Sequence, residues 1–124
     1  MKLLTHNMLT SNIIKGVTKG YPLKIECQQI EIVETEFNKE FLEKMIPKID
    51  YGVLCRAADQ IGHLGDLPKV LPETSDYNEE FMKELHRVLL KVEIKEGNLV
   101  CPETGRKFPV SNGIPNMLLN EEEV

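Results

Sequence analysis

The chain has 124 residues, enough for one ordinary domain or a small core carrying an inserted lobe. Hydrophobic residues make up 41% and charged residues 28%, a globular rather than a disordered balance. Lys+Arg number 15 against 20 Asp+Glu, a net charge of -5, and aromatics are 6% with no Trp; neither a basic face for phosphates nor a base-stacking platform is expected.

Residues 1–12 open with Leu3 and Leu4 but turn polar at Thr5, His6 and Asn7, too early for a signal peptide. No stretch approaches the ~18 consecutive apolar residues of a membrane span. Leu23, Ile25 and Cys27 alternate, as do Ile30 and Ile32, which predicts two strands near residues 22–33. A helix follows over about 38–46, with Asn38 as N-cap, Phe37 and Leu42 at staple positions, and Pro47 as its stop. Phe41, Leu42, Met45 and Ile46 form its apolar face. A second helix spans about 50–61, capped by Asp50, with Val53, Leu54, Ala57, Ala58 and Ile61 at helical spacing and Gly62 at its end. The segment 62–75 reads as a loop, punctuated by Pro68 and Pro72. A third helix covers about 77–91, with Phe81, Met82, Leu85, Val88, Leu89 and Val92 as its stripe. His86 on that helix has no acidic neighbour at i±3 or i±4 and reads as a surface residue.

Gly97-Asn98, flanked by residues 92–96 and 99–101, carries a hairpin signal. Phe108 and Val110 indicate a further short strand, and Ser111-Asn112-Gly113 a turn. The apolar run Ile114-Pro115-Asn116-Met117-Leu118-Leu119 fits helix or strand equally. It either closes the β unit internally or offers an edge to a partner. Glu121, Glu122 and Glu123 read as a solvated tail. The expected class is α+β: a β unit built from residues 1–34 and 92–124, with residues 35–91 as an inserted helical lobe of about three helices.

The stretch from Leu99 to Asn116 has the layout of a zinc-ribbon knuckle, in which two thiolates spaced by two residues bind half of a tetrahedral site. Cys101-Pro102 is present, but Thr104 stands at the second thiolate position. Cys27, Cys55 and Cys101 are odd in number and widely spaced, so no disulfide framework is indicated and three reduced thiols are expected. A metal site from Cys101, Cys27 and one histidine is the remaining metal reading; the other is Cys101 as a small buried hydrophobe. No Gly-x-Gly occurs, so no loop for a dinucleotide or methyl donor is encoded. Cys55, inside a helix, reads as structural rather than nucleophilic.

The opening Met1-Lys2-Leu3-Leu4-Thr5-His6-Asn7, the entry Glu36-Phe37-Asn38, the exit Met45-Ile46-Pro47-Lys48, Cys101-Pro102 and the ending Gly113 to Leu119 resemble the multifunctional methyltransferase activator subunit family. The likeness runs through the whole chain in order. It implies a zinc-ribbon-like fold with a helical insertion and no catalytic activity. The implied function is to activate and stabilise class I methyltransferase subunits acting on tRNA, ribosomal RNA and a translation release factor, in alternative heterodimers. S-adenosylmethionine is then held by the catalytic partner, so this chain needs no cofactor, touches RNA only through that partner and contacts no membrane. The resemblance further implies sheet extension onto the partner through the ribbon domain, making Phe108, Val110, Ile114, Pro115, Asn116, Met117, Leu118 and Leu119 interface candidates. Some members bind zinc with four cysteines; with only Cys101 of that set, this chain resembles a zinc-less branch. The implied location is cytoplasm and nucleus. The alternative reading is a zinc-ribbon-type metal-binding regulatory protein.

Overall fold

The computed structural model describes residues 1–12, 14–73 and 77–119; Ser75 and the acidic tail lie outside them. Helix α1 spans Leu3–Met8, β1 Lys24–Ile32, α2 Lys39–Met45, α3 Tyr51–Gln60 and α4 Glu79–His86. The sheet then continues with β2 Val92–Val100, β3 Lys107–Ser111 and β4 Ile114–Pro115. The four strands pair antiparallel in the order β1-β2-β3-β4.

The helix starts follow their capping chemistry. Asn38, Asp50 and Asn78 each accept a hydrogen bond from a first-turn N–H, those of Phe41, Val53 and Phe81, at 3.0, 3.1 and 2.8 Å. Asn7 of α1 brackets the start of α3: its Nδ2 donates to Asp50 O and its Oδ1 accepts from Asp50 N–H, both at 2.9 Å. That bond pair fixes α1 against α3. Past α2, Pro47 lies in a short 3-10 turn, Ile46–Lys48. Gly62, at φ 76°, lets the chain leave α3 in the left-handed region. Helix α4 runs on as a π-helical stretch, Arg87–Lys91, and Leu85, Val88, Leu89 and Val92 are all fully buried. They join Leu3, Leu42, Leu54, Met82, Ile94, Leu99 and Phe108 in the core between helices and sheet.

Several sequence expectations change. Residues 24–32 form one strand, not two, because a bulge between Cys27 and Ile30 shifts the register without breaking the pairing to β2. Gly97-Asn98 is not a turn; β2 passes straight through it. Gly97 faces Cys27 at the bulge, where any Cβ would collide with the Glu26 carbonyl. The glycine therefore serves close strand approach, not a hairpin. Residues 3–8 form a helix, for which the sequence carried no clear period. Met1 and Lys2 lie along β2: the Met1 amine donates to Ile94 O at 2.7 Å and Ile94 N–H returns a bond to Met1 O at 2.8 Å.

His86 is buried, not on the surface. Its Nε2 lies 2.9 Å from Thr35 Oγ1 and 3.2 Å from Thr35 O, and Phe37 packs edge-on against its ring. These partners come from the link between β1 and α2, about fifty residues away in sequence, so no spacing within the helix could have revealed them.

Candidate partner-binding surface

Strands β3 and β4 are joined by Asn112 and Gly113, at φ 52° and 78°. Two central residues with positive φ make the two-residue hairpin turn whose twist matches the sheet. Glycine is further required at 113, because a Cβ there would lie 2.6 Å from Glu93 Oε1 and 3.2 Å from Met1 N. Gly113 N–H donates to Lys95 O at 3.0 Å, and Asn116 N–H donates to Pro109 O at 2.8 Å, tying the hairpin to the sheet. The chain from Ile114 to Leu119 is thus held at one end of the strand order, with no strand beyond β4 among the described residues.

The eight interface candidates divide. Phe108 and Val110 face the core, at 0% and 2% exposure. Their side chains are covered in the free chain. Pro115, Met117 and Leu119 are half-buried, with Met117 and Leu119 packed on the core. Asn116 is exposed, and its Oδ1 accepts from Leu118 N–H at 3.0 Å. Ile114 and Leu118 stand out at 69% and 80% exposure. Even-numbered positions therefore point outward and odd-numbered ones tuck in, the alternation of an extended segment beside a sheet.

The opposite edge is built differently. Strand β1 is kinked by its bulge and exposes Lys24, Glu26 and Glu31. Charged side chains and a bulge are the usual means of blocking further strand pairing. The β4 end, by contrast, exposes the apolar side chains of Ile114 and Leu118.

The knuckle surrounds the Cys101 thiol with hydrogen-bonding groups. Burial alone would raise the Cys101 thiol; hydrogen bonds from the Ser11 and Thr104 hydroxyls and from the backbone at Thr104 and Glu103 outweigh it and hold the thiol below its ordinary range. Thr104 N–H lies 3.4 Å from Cys101 Sγ. Ser11 is itself fully buried, with its hydroxyl 3.3 Å from Gly20 O. Where a metal knuckle would present more thiolates, this one presents neutral hydroxyls, which are poor zinc ligands. Among the described residues no three His, Cys, Asp or Glu side chains come together to hold an ion. Cys27 and Cys55 lie apart from this knuckle, and burial pushes both thiols up. A thiol raised in this way is a weak nucleophile at neutral pH.

His6 is fully buried, with Nε2 2.7 Å from Leu23 O, which makes that nitrogen the donor. Burial pushes the ring below the usual histidine range, so it stays neutral at physiological pH. No helix among the described residues is long and apolar enough to cross a membrane.

Comparison with known proteins agrees with this architecture. The family model described as Trm112p-like protein matches residues 2–113. A Mus musculus protein named multifunctional methyltransferase subunit TRM112-like protein is 48% identical over 123 residues, 99% of this chain and 98% of that one. Multifunctional methyltransferase subunit TRM112 homolog A of Arabidopsis thaliana is 49% identical over 126 residues, covering both chains completely. The Saccharomyces cerevisiae relative, multifunctional methyltransferase subunit TRM112, is 30% identical with 96% of each chain covered. Among solved structures, a chain of the E. cuniculi Mtq2-Trm112 complex, described as responsible for methylating the eRF1 translation termination factor, superposes with a TM-score of 0.53. It does so at 18% identity over 95% of each chain, a likeness of fold.

Proposed function

This chain belongs to the Trm112p-like family, and from that membership we propose that it is a non-catalytic activator and stabilising subunit of S-adenosylmethionine-dependent methyltransferases. The observation that carries the reading is the end-to-end match to relatives named as methyltransferase subunits. The substrates of the assembled enzymes are tRNA, ribosomal RNA and a translation release factor, and the complexes work in cytoplasm and nucleus. The catalytic partner holds the methyl donor.

The contact runs through the β4 edge. Ile114 and Leu118 supply apolar surface, Pro115 and Asn116 the backbone beside it, and Met117 and Leu119 anchor the segment to the core. This arrangement lets a partner strand add to the sheet while its side chains cover Ile114 and Leu118. The metal-binding regulatory reading has no support from the Cys101 surroundings.

Purification of the tagged chain from its own cells, followed by mass spectrometry, is expected to recover methyltransferase catalytic subunits. In calorimetry the isolated chain should give no heat with S-adenosylmethionine. Recovery of no methyltransferase, or micromolar binding of the methyl donor by the chain alone, would overturn the proposal.

The chain is further proposed to fold without zinc. Structural zinc supplies about 10–16 kcal/mol in small metal-dependent domains, so its removal unfolds them. Here Ser11 and Thr104 surround Cys101 with hydrogen bonds instead, and Leu99, Phe108 and Val110 are packed beneath. Elemental analysis should find well under one zinc per chain, and a chelator should leave the melting temperature unchanged. One stoichiometric zinc whose removal collapses the fold would show that a ligand set exists.

A further inference from the structure

The β4 edge is poor in backbone donors. In an antiparallel pair, residues that exchange backbone bonds alternate with residues whose N–H and C=O point away from the neighbouring strand. Asn116 N–H donates to Pro109 O at 2.8 Å, so Asn116 and Pro109 stand at a bonded position. In the register Val110↔Pro115 and Ser111↔Ile114, Ile114 is then bonded to β3 as well, and the backbone of Pro115 is turned to the open side. Proline has no N–H. The one residue of β4 whose backbone faces the open edge therefore presents a carbonyl and no donor.

Just past the strand, Leu118 N–H is taken up by Asn116 Oδ1 at 3.0 Å. From Ile114 to Leu118, Met117 alone keeps an uncommitted backbone donor among the described residues. An edge of this kind needs protection from its own copies, because Ile114 and Leu118 hold apolar surface in water at 69% and 80% exposure. At the far side of the sheet the bulge and the exposed Lys24, Glu26 and Glu31 supply that protection. Strand β4 is only Ile114–Pro115 and carries neither a bulge nor a charge. Its proline is the blocking element it has.

We propose that Pro115 is a specificity-determining residue: it keeps this edge from pairing with a second copy of the chain and leaves it open to a strand of another protein. Two identical chains meet through the same patch, so each brings the same gap. The missing donor is then lost twice in every pair of copies. With Pro115 opposite the copy's Pro115, neither bond of that position forms. A foreign strand meets the gap once, and its own N–H can reach Pro115 O. The benefit to the cell rests on the reading of β4 as the methyltransferase contact; the barrier to self-pairing does not depend on which partner binds.

The test is analytical ultracentrifugation of the full chain over about 0.01–1 mM, a range that reads self-association weaker than micromolar. The parent should stay monomeric. Pro115→Val restores the donor and keeps an apolar residue that favours extended backbone at this half-buried site. With two bonds gained per pair, it should self-associate about ten- to a hundredfold more tightly than the parent. Pro115→Ala adds the same donor with less bulk and should associate too, which keeps the test valid if the first variant fails to fold. The new amide at position 115 should be protected from hydrogen exchange at high concentration and exchange freely on dilution. Adding Ile114→Lys to either variant should return it to a monomer, because an edge lysine opposes strand pairing. Folded variants as monomeric as the parent, a parent that associates as tightly as they do, or association that survives Ile114→Lys would each overturn the proposal. If the parent recovers no methyltransferase but the variants associate as stated, the subunit reading fails and the role of Pro115 stands. If methyltransferase is recovered and the folded variants remain monomeric, this inference alone fails.

Discussion

Phe108→Ala is expected to cost about 3–5 kcal/mol of folding stability, the usual range for truncating a buried phenylalanine. Phe108 is completely buried on β3, opposite Leu99 in the register. Val110, two residues on, faces the same side and is also buried. The ring carries the Arg106 guanidinium at 4.8 Å from its centroid, so truncation removes that contact as well as the packing. Single domains have only about 5–15 kcal/mol in hand. A loss of this size should lower the melting temperature by roughly 10–20 °C. Thermal unfolding followed by circular dichroism measures it. Val70→Ala, at a position 81% exposed, is the control and should stay within about 0.5 kcal/mol of the parent. If Phe108→Ala melts like the parent but loses its methyltransferase, the ring is a contact residue and its burial in the free chain is not decisive.

Much of this fold was legible because local chemistry and global packing agree. The caps Asn38 and Asp50 stand at the helix starts, and Gly62 ends α3 as its sequence position implied. What was not legible depends on distant partners. A glycine opens a turn or admits a neighbouring strand, and Gly97 looks the same in sequence either way; only the register against Cys27 decides. His86 lacked a partner on its own helix and found one at Thr35, across the link from β1 to α2. Ser11 gave no signal as a companion of Cys101, because a buried serine and a solvated one are spelled alike. In the C-terminal run the period was hidden by Pro115 and Asn116. The alternation became visible once the Asn112-Gly113 turn had set which face Ile114 takes.

Ile114→Asp and Leu118→Asp are each expected to weaken association with the catalytic partner by more than about a hundredfold, equivalent to roughly 3 kcal/mol. In the free chain both side chains are mostly in water, at 69% and 80% exposure, so an aspartate there keeps its hydration and the fold is unharmed. When a partner strand covers the edge, the same carboxylate loses its water with no cation supplied, and that cost falls entirely on the bound state. Met117→Asp behaves differently. Met117 packs against the core, so its charge is costly in the free chain and the melting temperature should fall first. The three variants thus separate contact from core within a six-residue segment. Co-purification reads the first property and thermal unfolding the second, with the lobe of α2, α3 and α4 retaining its helical signal in the two exposed variants. Normal co-purification of both Ile114→Asp and Leu118→Asp would place the interface away from β4. A fall in melting temperature for both, as large as that of Met117→Asp, would make the whole run core.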